Sequence, residues 1–434
     1  MRAPAMTPLL LLPLAFASSA EARPYRSTFA PLGWLEQKVV APDGAAADQF
    51  GRTVVVSGDV ALIGSPNSTI DGDEGRGAAY VFTRKNGTWT ETQKLVGSDG
   101  AAVDSFGIAA AIEGDTAIVG AYSANEFTGK AYVFTRDGDT WSESQILTTH
   151  DAAPFDQFGW SIAIDGKTAL IAAQGATIGD NPGQGAVYVF TEAAGTWTET
   201  GKFTSDDGAA ADDFGWSVAL SGTTAVVGTS FATIGGNEFQ GAAYVFDGSG
   251  GNWTQMQKLT ASNGAEFDFF GLAVAMQPGT ILVGADGAAT DGDPFSSQGA
   301  VYVFTESGGA WSESRQLTAS DGEPSDGLGE WIAFDGDRAL VGAPGVTVGD
   351  NESQGAAYLF TRSADAWTES PRFVSSDGGE LDQFGWATAL SEDTVLIGAY
   401  NADIGENADA GAAYFYAMPV DETIFSDGFE GPPG

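Results

Sequence analysis

The sequence predicts an all-β fold, a seven-bladed β-propeller of four-stranded antiparallel blades, closed by an N-terminal strand that completes the last blade. Three observations support this prediction: a Phe-Gly pair that recurs along the chain, four short apolar runs in each repeat, and an offset between the two ends of the repeated region.

The Phe-Gly pair recurs at a nearly constant interval. The pairs begin at Phe50, Phe106, Phe158, Phe214, Phe270, Leu328 and Phe384, with Leu replacing Phe in the sixth copy. Successive copies are 56, 52, 56, 56, 58 and 56 residues apart. Such a period indicates one supersecondary unit that is repeated seven times.

Each repeat contains four short runs that read as strands. In the fourth repeat they are residues 216–220, 225–228, 241–246 and a run that opens at Trp253. Gly, Asp and Asn turns separate them, as expected for antiparallel strands. A linear β-solenoid is the rival architecture, but its coils are normally shorter than this repeat.

The ends of the repeated region decide between the two architectures. The chain opens on a fourth-strand run at Trp34 and ends on a third-strand run at Tyr414. In a closed ring the first strand completes the last blade and leaves no unpaired edge there. A linear array would gain nothing from this offset.

Composition and the chain ends predict an exported protein. Residues 1–22 resemble a signal peptide, 23–33 form a lead, 34–418 the propeller, and 419–434 an acidic tail whose motif resembles an ending of exported bacterial proteins. We therefore expect a bacterial protein that is secreted, extracellular or on the cell surface. The net charge of −40 argues against nucleic acid and anionic membranes as partners, and no segment outside the leader predicts membrane insertion.

The Phe-Gly strand is followed at steady spacing by a Gly-Ala-Pro-like element, such as Gly342-Ala343-Pro344. This pair of motifs resembles the FG-GAP repeat, which builds the integrin α-subunit propeller and exported bacterial propellers. The resemblance implies binding or adhesion and, in integrins, calcium loops between the two motifs. Here that connection is a bare turn, such as Ser57-Gly58-Asp59, which offers too few oxygens for calcium.

An aspartate stands two residues before Phe-Gly in all seven repeats. These residues are Asp48, Asp104, Asp156, Asp212, Asp268, Asp326 and Asp382. They form either a ring of cation sites or a set of loop-fixing residues whose carboxylates accept backbone N–H groups. Their presence in every repeat favours loop fixing, because a single functional site needs only some blades.

The loops between second and third strands offer further metal candidates. Asp71, Asp73, Asp291 and Asp293 stand in acidic Asp-Gly-Asp segments that could bind calcium, the one cofactor we consider. The alternative is that these are solvated polar loops. No other cofactor is predicted.

No catalytic constellation is visible, so we predict a protein that is not an enzyme. The single histidine, His150, replaces a serine of other repeats. Trp160, Trp216, Trp331 and Trp386 are predicted to fill space between blades. The main prediction is a binding or adhesion module whose long-loop face engages a protein or glycan. The alternatives are a carboxylate-based polysaccharide lyase or hydrolase and a passive structural surface protein.

Overall fold

The computed structural model describes residues 34–290, 296–364 and 366–417. The predicted signal peptide, lead and acidic tail, together with Asp291 and Asp293, lie outside these residues. Apart from one helical turn, which has positive φ at Asn125 and Glu126, the regular elements of the described chain are all β-strands.

The elements run in chain order as follows: β1 (Leu35–Val39), β2 (Thr53–Ser57), β3 (Val60–Ser65), β4 (Ala78–Lys85), β5 (Thr88–Leu95), β6 (Ala110–Glu113), β7 (Thr116–Ala121), α1 (Ala124–Phe127), β8 (Lys130–Asp137), β9 (Thr140–Leu147), β10 (Phe158–Asp165), β11 (Thr168–Ala173), β12 (Ala186–Ala193), β13 (Thr196–Phe203), β14 (Ser217–Ser221), β15 (Thr224–Thr229), β16 (Ala242–Asp247), β17 (Thr254–Leu259), β18 (Val274–Gln277), β19 (Thr280–Ala285), β20 (Ala300–Ser307), β21 (Ala310–Leu317), β22 (Ile332–Asp335), β23 (Arg338–Ala343), β24 (Ala356–Ser363), β25 (Ala366–Glu369), β26 (Ala387–Ser391), β27 (Thr394–Ala399) and β28 (Ala412–Ala417).

These strands form seven four-stranded antiparallel sheets, which are the blades of a propeller. Blades 1 to 6 each use four consecutive strands, starting with β2–β5 and ending with β22–β25. Blade 7 contains β26, β27, β28 and β1, in which Leu35 pairs with Ala417 and Val39 with Ala413. The predicted fold and the predicted closure by the N-terminal strand are therefore confirmed.

The hydrophobic core is divided among the interfaces between neighbouring blades. One cluster joins Phe50, Ile63 and Tyr80 of blade 1 to Leu396 and Phe415 of blade 7. Successive clusters repeat this arrangement around the ring, because the β-branched and aromatic residues of each strand point to both faces of its blade.

The two repeated motifs meet at the joint between blades. A Cβ added to Gly64, at the end of β3, would lie 2.0 Å from the carbonyl oxygen of Gly107, which belongs to the Phe-Gly pair of the next blade. The same close approach joins Gly120 to Gly159. Glycine is required at these positions because only it allows the two backbones to approach so closely.

The blade connections define two faces of the ring. Short turns such as residues 57–60 join the first and second strands and lie on one face, together with the turns between third and fourth strands. The opposite face carries the loops between second and third strands and those that lead to the next blade. We call it the long-loop face.

Candidate binding face and axial mouth

The seven loop aspartates all make the same contact with their own loop. In each, Oδ2 accepts a hydrogen bond from the backbone N–H three residues earlier, at 2.7–2.9 Å: Asp48 from Ala45, Asp104 from Ala101, Asp156 from Ala153, Asp212 from Ala209, Asp268 from Ala265, Asp326 from Glu323 and Asp382 from Gly379. All seven side chains are buried. This is the contact that the loop-fixing interpretation requires, and cation binding at these residues stays a prediction.

Burial also shifts the pKa of these carboxyl groups. It raises the pKa of Asp48 and of its counterparts above the ordinary value, although the backbone N–H bond opposes the shift. The pKa of Asp326 rises to about 6 for the same reason. Calcium needs six to eight oxygen ligands around it, and a buried carboxyl group that is bonded to its own backbone is poorly placed to be one of them.

A second acidic position, five residues earlier, is held by a tyrosine and a cation. The Tyr244 hydroxyl donates to Asp207 at 2.7 Å, and the Lys258 ammonium group donates to its other oxygen at 2.8 Å. Five such tyrosine–aspartate pairs span the same 37 residues, at Tyr80, Tyr188, Tyr244, Tyr358 and Tyr414. The sequence analysis missed these contacts, although the constant spacing is visible in the repeat.

Asp71 and Asp73 belong to a tight turn. Ile70 and Asp73 exchange both backbone hydrogen bonds, and Asp71 and Gly72 between them have positive φ (56° and 94°). This is the conformation that favours Asp-Gly in two-residue turns. The Arg76 guanidinium lies 3.4 Å from Asp71 and 3.8 Å from Asp73. Within the described residues, no three acidic or histidine side chains cluster to hold a metal ion.

A continuous chain of nine aromatic rings crosses part of the long-loop face. Consecutive ring centroids lie 5.1–6.4 Å apart. The members of this aromatic arc are Phe155, Phe127, Tyr122, Trp160, Trp216, Phe231, Phe239, Phe267 and Phe269. None of them is buried, and Phe155 is 65% exposed. The arc extends only from blade 2 to the loop that enters blade 5.

The sequence holds a signal for the arc that the repeat analysis did not use. Phe127 and Phe239 stand where the other repeats carry Gly75, Gly183, Ser297, Ser353 and Asp409. An aromatic residue at a loop position that is otherwise small or polar departs from the repeated pattern. Such departures indicate a local role rather than blade packing.

The first strands of the blades surround a central channel with a cavity of about 400 Å³. Its long-loop end is lined by the residue that follows each Phe-Gly pair. These residues are Arg52, Ile108, Trp160, Trp216, Leu272, Glu330 and Trp386. The tryptophans predicted to fill space between blades, Trp160, Trp216, Trp331 and Trp386, also line the channel, because residues at the start of the innermost strand border the axis. Trp386 packs against the cluster between blades 7 and 1 as well.

Charged groups stand on one side of this ring. The Arg52 guanidinium packs over Trp386, 4.5 Å from the ring centroid, and 5.4 Å from that of Tyr400. On the same side of the channel, in blade 6, the carboxyl group of Glu330 is hydrogen-bonded to that of Asp286. Burial raises the pKa of both acids, and Asp286 adds to the shift of Glu330.

Several buried polar atoms at the long-loop ends of the blades lack a hydrogen-bond partner among the described residues. They are Gln174 Oε1, Ser230 Oγ, Asp286 Oδ1 and Trp386 Nε1, and of these residues only Trp386 lines the channel. Gln174, Ser230 and Asp286 follow the second strands of blades 3, 4 and 5 at equivalent positions. We call Arg52, Trp160, Trp216, Asp286, Glu330 and Trp386 the axial mouth.

Comparison with known families agrees with this architecture. Residues 34–82, 89–134, 141–190, 197–246, 253–304, 311–360 and 367–416 each match the FG-GAP repeat. These segments cover most of the chain, and each spans the outer strand of one blade and the first three strands of the next. The chain therefore belongs to the FG-GAP repeat family and is an FG-GAP β-propeller, a fold that suggests a binding or adhesion-type module. No curated protein matches it.

In the part of the chain that the structure describes, no helix is long and apolar enough to cross a membrane.

Proposed function

We propose that this protein is an exported, non-catalytic binding module whose long-loop face engages a protein or glycan outside the cell. The aromatic arc is the observation that carries the proposal. Large aromatic side chains supply most of the binding energy at recognition surfaces, where their flat faces lose water on contact with a ligand.

The arc is better explained by binding than by blade packing. The aromatic residues that pack between blades, such as Phe50 and Tyr80, are fully buried and recur in the repeat. The rings of the arc keep accessible surface and occur in only some blades. Contiguous exposed apolar surface is unfavourable in water unless a partner covers it.

The charge of the chain restricts the partner. With a net charge of −40, the protein repels polyanions at long range, so nucleic acid and strongly sulfated ligands are poor candidates. An uncharged glycan or a neutral or basic protein surface meets no such barrier.

Carboxylate-based hydrolysis is the second candidate, because Asp286 and Glu330 are carboxyl groups contributed by only two neighbouring blades. Their geometry does not favour it. Glycosidases hold their two carboxyl groups about 5–5.5 Å or about 6.5–9.5 Å apart, which leaves room for the scissile bond or a water molecule. Asp286 and Glu330 are directly hydrogen-bonded, so neither arrangement is available between them.

Binding of the purified protein to arrays of glycans and extracellular matrix proteins tests the proposal. Phe155→Ala combined with Phe267→Ala should weaken binding of any ligand found by at least about tenfold, because both rings are exposed members of the arc. The matched control combines Val103→Ala with Leu381→Ala. These residues occupy the same repeat position, directly before the loop aspartate, are similarly exposed and have the same positive φ, but lie outside the arc.

The control variant should bind within about twofold of the unmodified protein. Absence of binding to every glycan and protein on the arrays would contradict the proposal and favour a passive structural protein. Recovery of the protein from the cytoplasm alone would contradict its export.

A further inference from the structure

We infer that the axial mouth is a binding site for one uncharged pyranose ring of a glycan. This inference rests on the proposed function, because it takes a glycan as the ligand of the binding module. It then places one sugar unit of that glycan in the axial mouth. The argument uses the size of the cavity, its aromatic walls, its unpartnered polar atoms and its charge.

The size of the cavity fits one sugar unit. Its volume of about 400 Å³ lies at the lower end of the range typical of small-molecule sites, roughly 300–1,000 Å³. The cavity extends along the innermost strand of every blade, and the axial mouth is its end on the long-loop face. A chain attached to the bound ring would continue over the aromatic arc, because Trp160 and Trp216 belong to both the mouth and the arc.

Two indole rings provide the apolar wall. Trp160 and Trp216 lie 5.1 Å apart with an interplanar angle of 54°, and both keep accessible surface. The third tryptophan, Trp386, is already covered by the Arg52 guanidinium. The C–H face of a pyranose is apolar and carries slightly positive hydrogens, which complements the negative face of an indole ring.

The polar groups that border the cavity can pair with the hydroxyl groups of a ligand. Arg52 and Trp386 Nε1 are donors, and the hydroxyl group of Ser161 can donate or accept. Buried polar atoms are normally satisfied, so the unpaired Trp386 Nε1 beside the cavity calls for an acceptor from a ligand. Sugar hydroxyls have both functions and stand on adjacent ring carbons, next to the apolar face.

The charge balance of the mouth favours an uncharged ring. Arg52 carries a positive charge, and burial favours the uncharged forms of Asp286 and Glu330 by raising the pKa of both. The chain as a whole has a net charge of −40. An anionic sugar would meet the field of the whole protein and the acid pair, and a cationic ligand would meet Arg52.

The test uses oligosaccharides that differ only in charge. Calorimetric titrations compare galactose oligosaccharides with galacturonic acid oligosaccharides of the same length, and glucose and mannose oligosaccharides with their uronic acid counterparts. Neutral oligosaccharides should bind at least about tenfold more tightly than their acidic counterparts. Tighter binding of the acidic members, or binding of proteins alone, would overturn the inference.

Substitutions at the channel test whether the ligand binds in the axial mouth. Trp216→Leu should weaken binding of the neutral oligosaccharide at least about tenfold, since it removes one indole face. Leu272→Val is the matched control, because Leu272 holds the equivalent position in the next blade and its side chain stays aliphatic; binding should change less than about twofold.

The outcomes separate the two claims. If the Phe155/Phe267 variant loses binding while Trp216→Leu binds normally, the arc binds the ligand and the inference about the mouth is wrong. If Trp216→Leu loses binding but also its thermal transition, Trp160→Leu provides the second measurement, and normal binding by a folded Trp160→Leu protein counts against the site. If no ligand binds the unmodified protein, both the function and the site are rejected.

Discussion

Asp212 and Trp216 stand four residues apart around the same Phe-Gly pair, and they behave in opposite ways across the ring. The position of Asp212 is aspartate in every blade, and each copy is buried and bonded to its own backbone. The position of Trp216 holds Arg, Ile, Trp, Trp, Leu, Glu and Trp around the ring, and all of these residues line the channel.

The difference separates the frame of the molecule from its recognition surface. A contact that every blade must make is repeated, as in the loop aspartates, the glycine joints and the tyrosine–aspartate pairs. A residue that borders the axis or the long-loop face does not make such a shared contact, so its type can differ between blades and suit a ligand. Substitutions in the frame should therefore change stability, and substitutions in the mouth and arc should change binding.

The largest effect is expected from removing the strand that closes the ring. Deletion of residues 34–39 exposes the edge of β28 and breaks both hydrogen bonds between the Gln37 amide and the backbone of Trp89, in the next blade. We expect the free energy of unfolding to fall by at least about 4 kcal/mol, or cooperative unfolding to be lost. Denaturant unfolding measures this against a chain that begins at residue 34; a loss below about 1 kcal/mol would show that the closing strand is dispensable.

A smaller but still large loss is expected at a glycine joint. Gly120→Ala places a Cβ 2.0 Å from the carbonyl oxygen of Gly159, so the two blades must separate, at a cost of about 3 kcal/mol. Blade 3 provides the control, because Ala172 already occupies the equivalent position. Ala172→Gly should lower the free energy of unfolding by less than about 1 kcal/mol. Equal losses of stability in the two variants would contradict the claim that this joint requires glycine.

The tyrosine–aspartate pairs should show a smaller effect that depends on pH. Tyr244→Phe removes a hydrogen bond to the Asp207 carboxylate and should cost about 1–2 kcal/mol at pH 7. Tyr302→Phe, whose hydroxyl donates to the uncharged Asn263, should cost about 1 kcal/mol.

The pH dependence follows from the state of Asp207. Burial alone would raise the pKa of Asp207, but the bonds from Lys258 and Tyr244 outweigh it and hold the pKa below 3.8. A carboxyl group with a lowered pKa in the folded state stabilises the protein above about pH 4 and loses that contribution as the pH falls further. The cost of Tyr244→Phe should therefore shrink at pH 3, whereas that of Tyr302→Phe should not; a parallel change in both variants would contradict the assignment.

The smallest effect is expected at the exposed acidic turn. Asp71→Asn removes a surface ion pair with Arg76 and should change the free energy of unfolding by less than about 0.5 kcal/mol. Because Arg76 faces both carboxylates, calcium or a chelator should leave the melting temperature unchanged. A calcium-dependent rise that Asp71→Asn abolishes would establish the metal site instead.

The contacts of the frame were predictable from the sequence because the residues that make them recur from repeat to repeat. The prediction used the Phe-Gly period, the four runs of each repeat and the offset between Trp34 and Tyr414. Because these signals come from seven copies, a wrong assignment in one repeat is corrected by the others. The axial mouth was not predictable in this way. Trp216 looked like a packing residue until the fold placed the start of β14 at the channel, and Arg52, Asp286 and Glu330 occur once each at their positions.

The most direct test of this division is one titration of a neutral oligosaccharide against three proteins, each with its unfolding curve. The unmodified protein sets the reference. Trp216→Leu should lose at least about tenfold in affinity while remaining folded, and Tyr244→Phe should lose stability while binding normally. Loss of affinity in Tyr244→Phe at a temperature where it is fully folded, with normal binding by Trp216→Leu, would contradict the claim that recognition lies where the repeat varies.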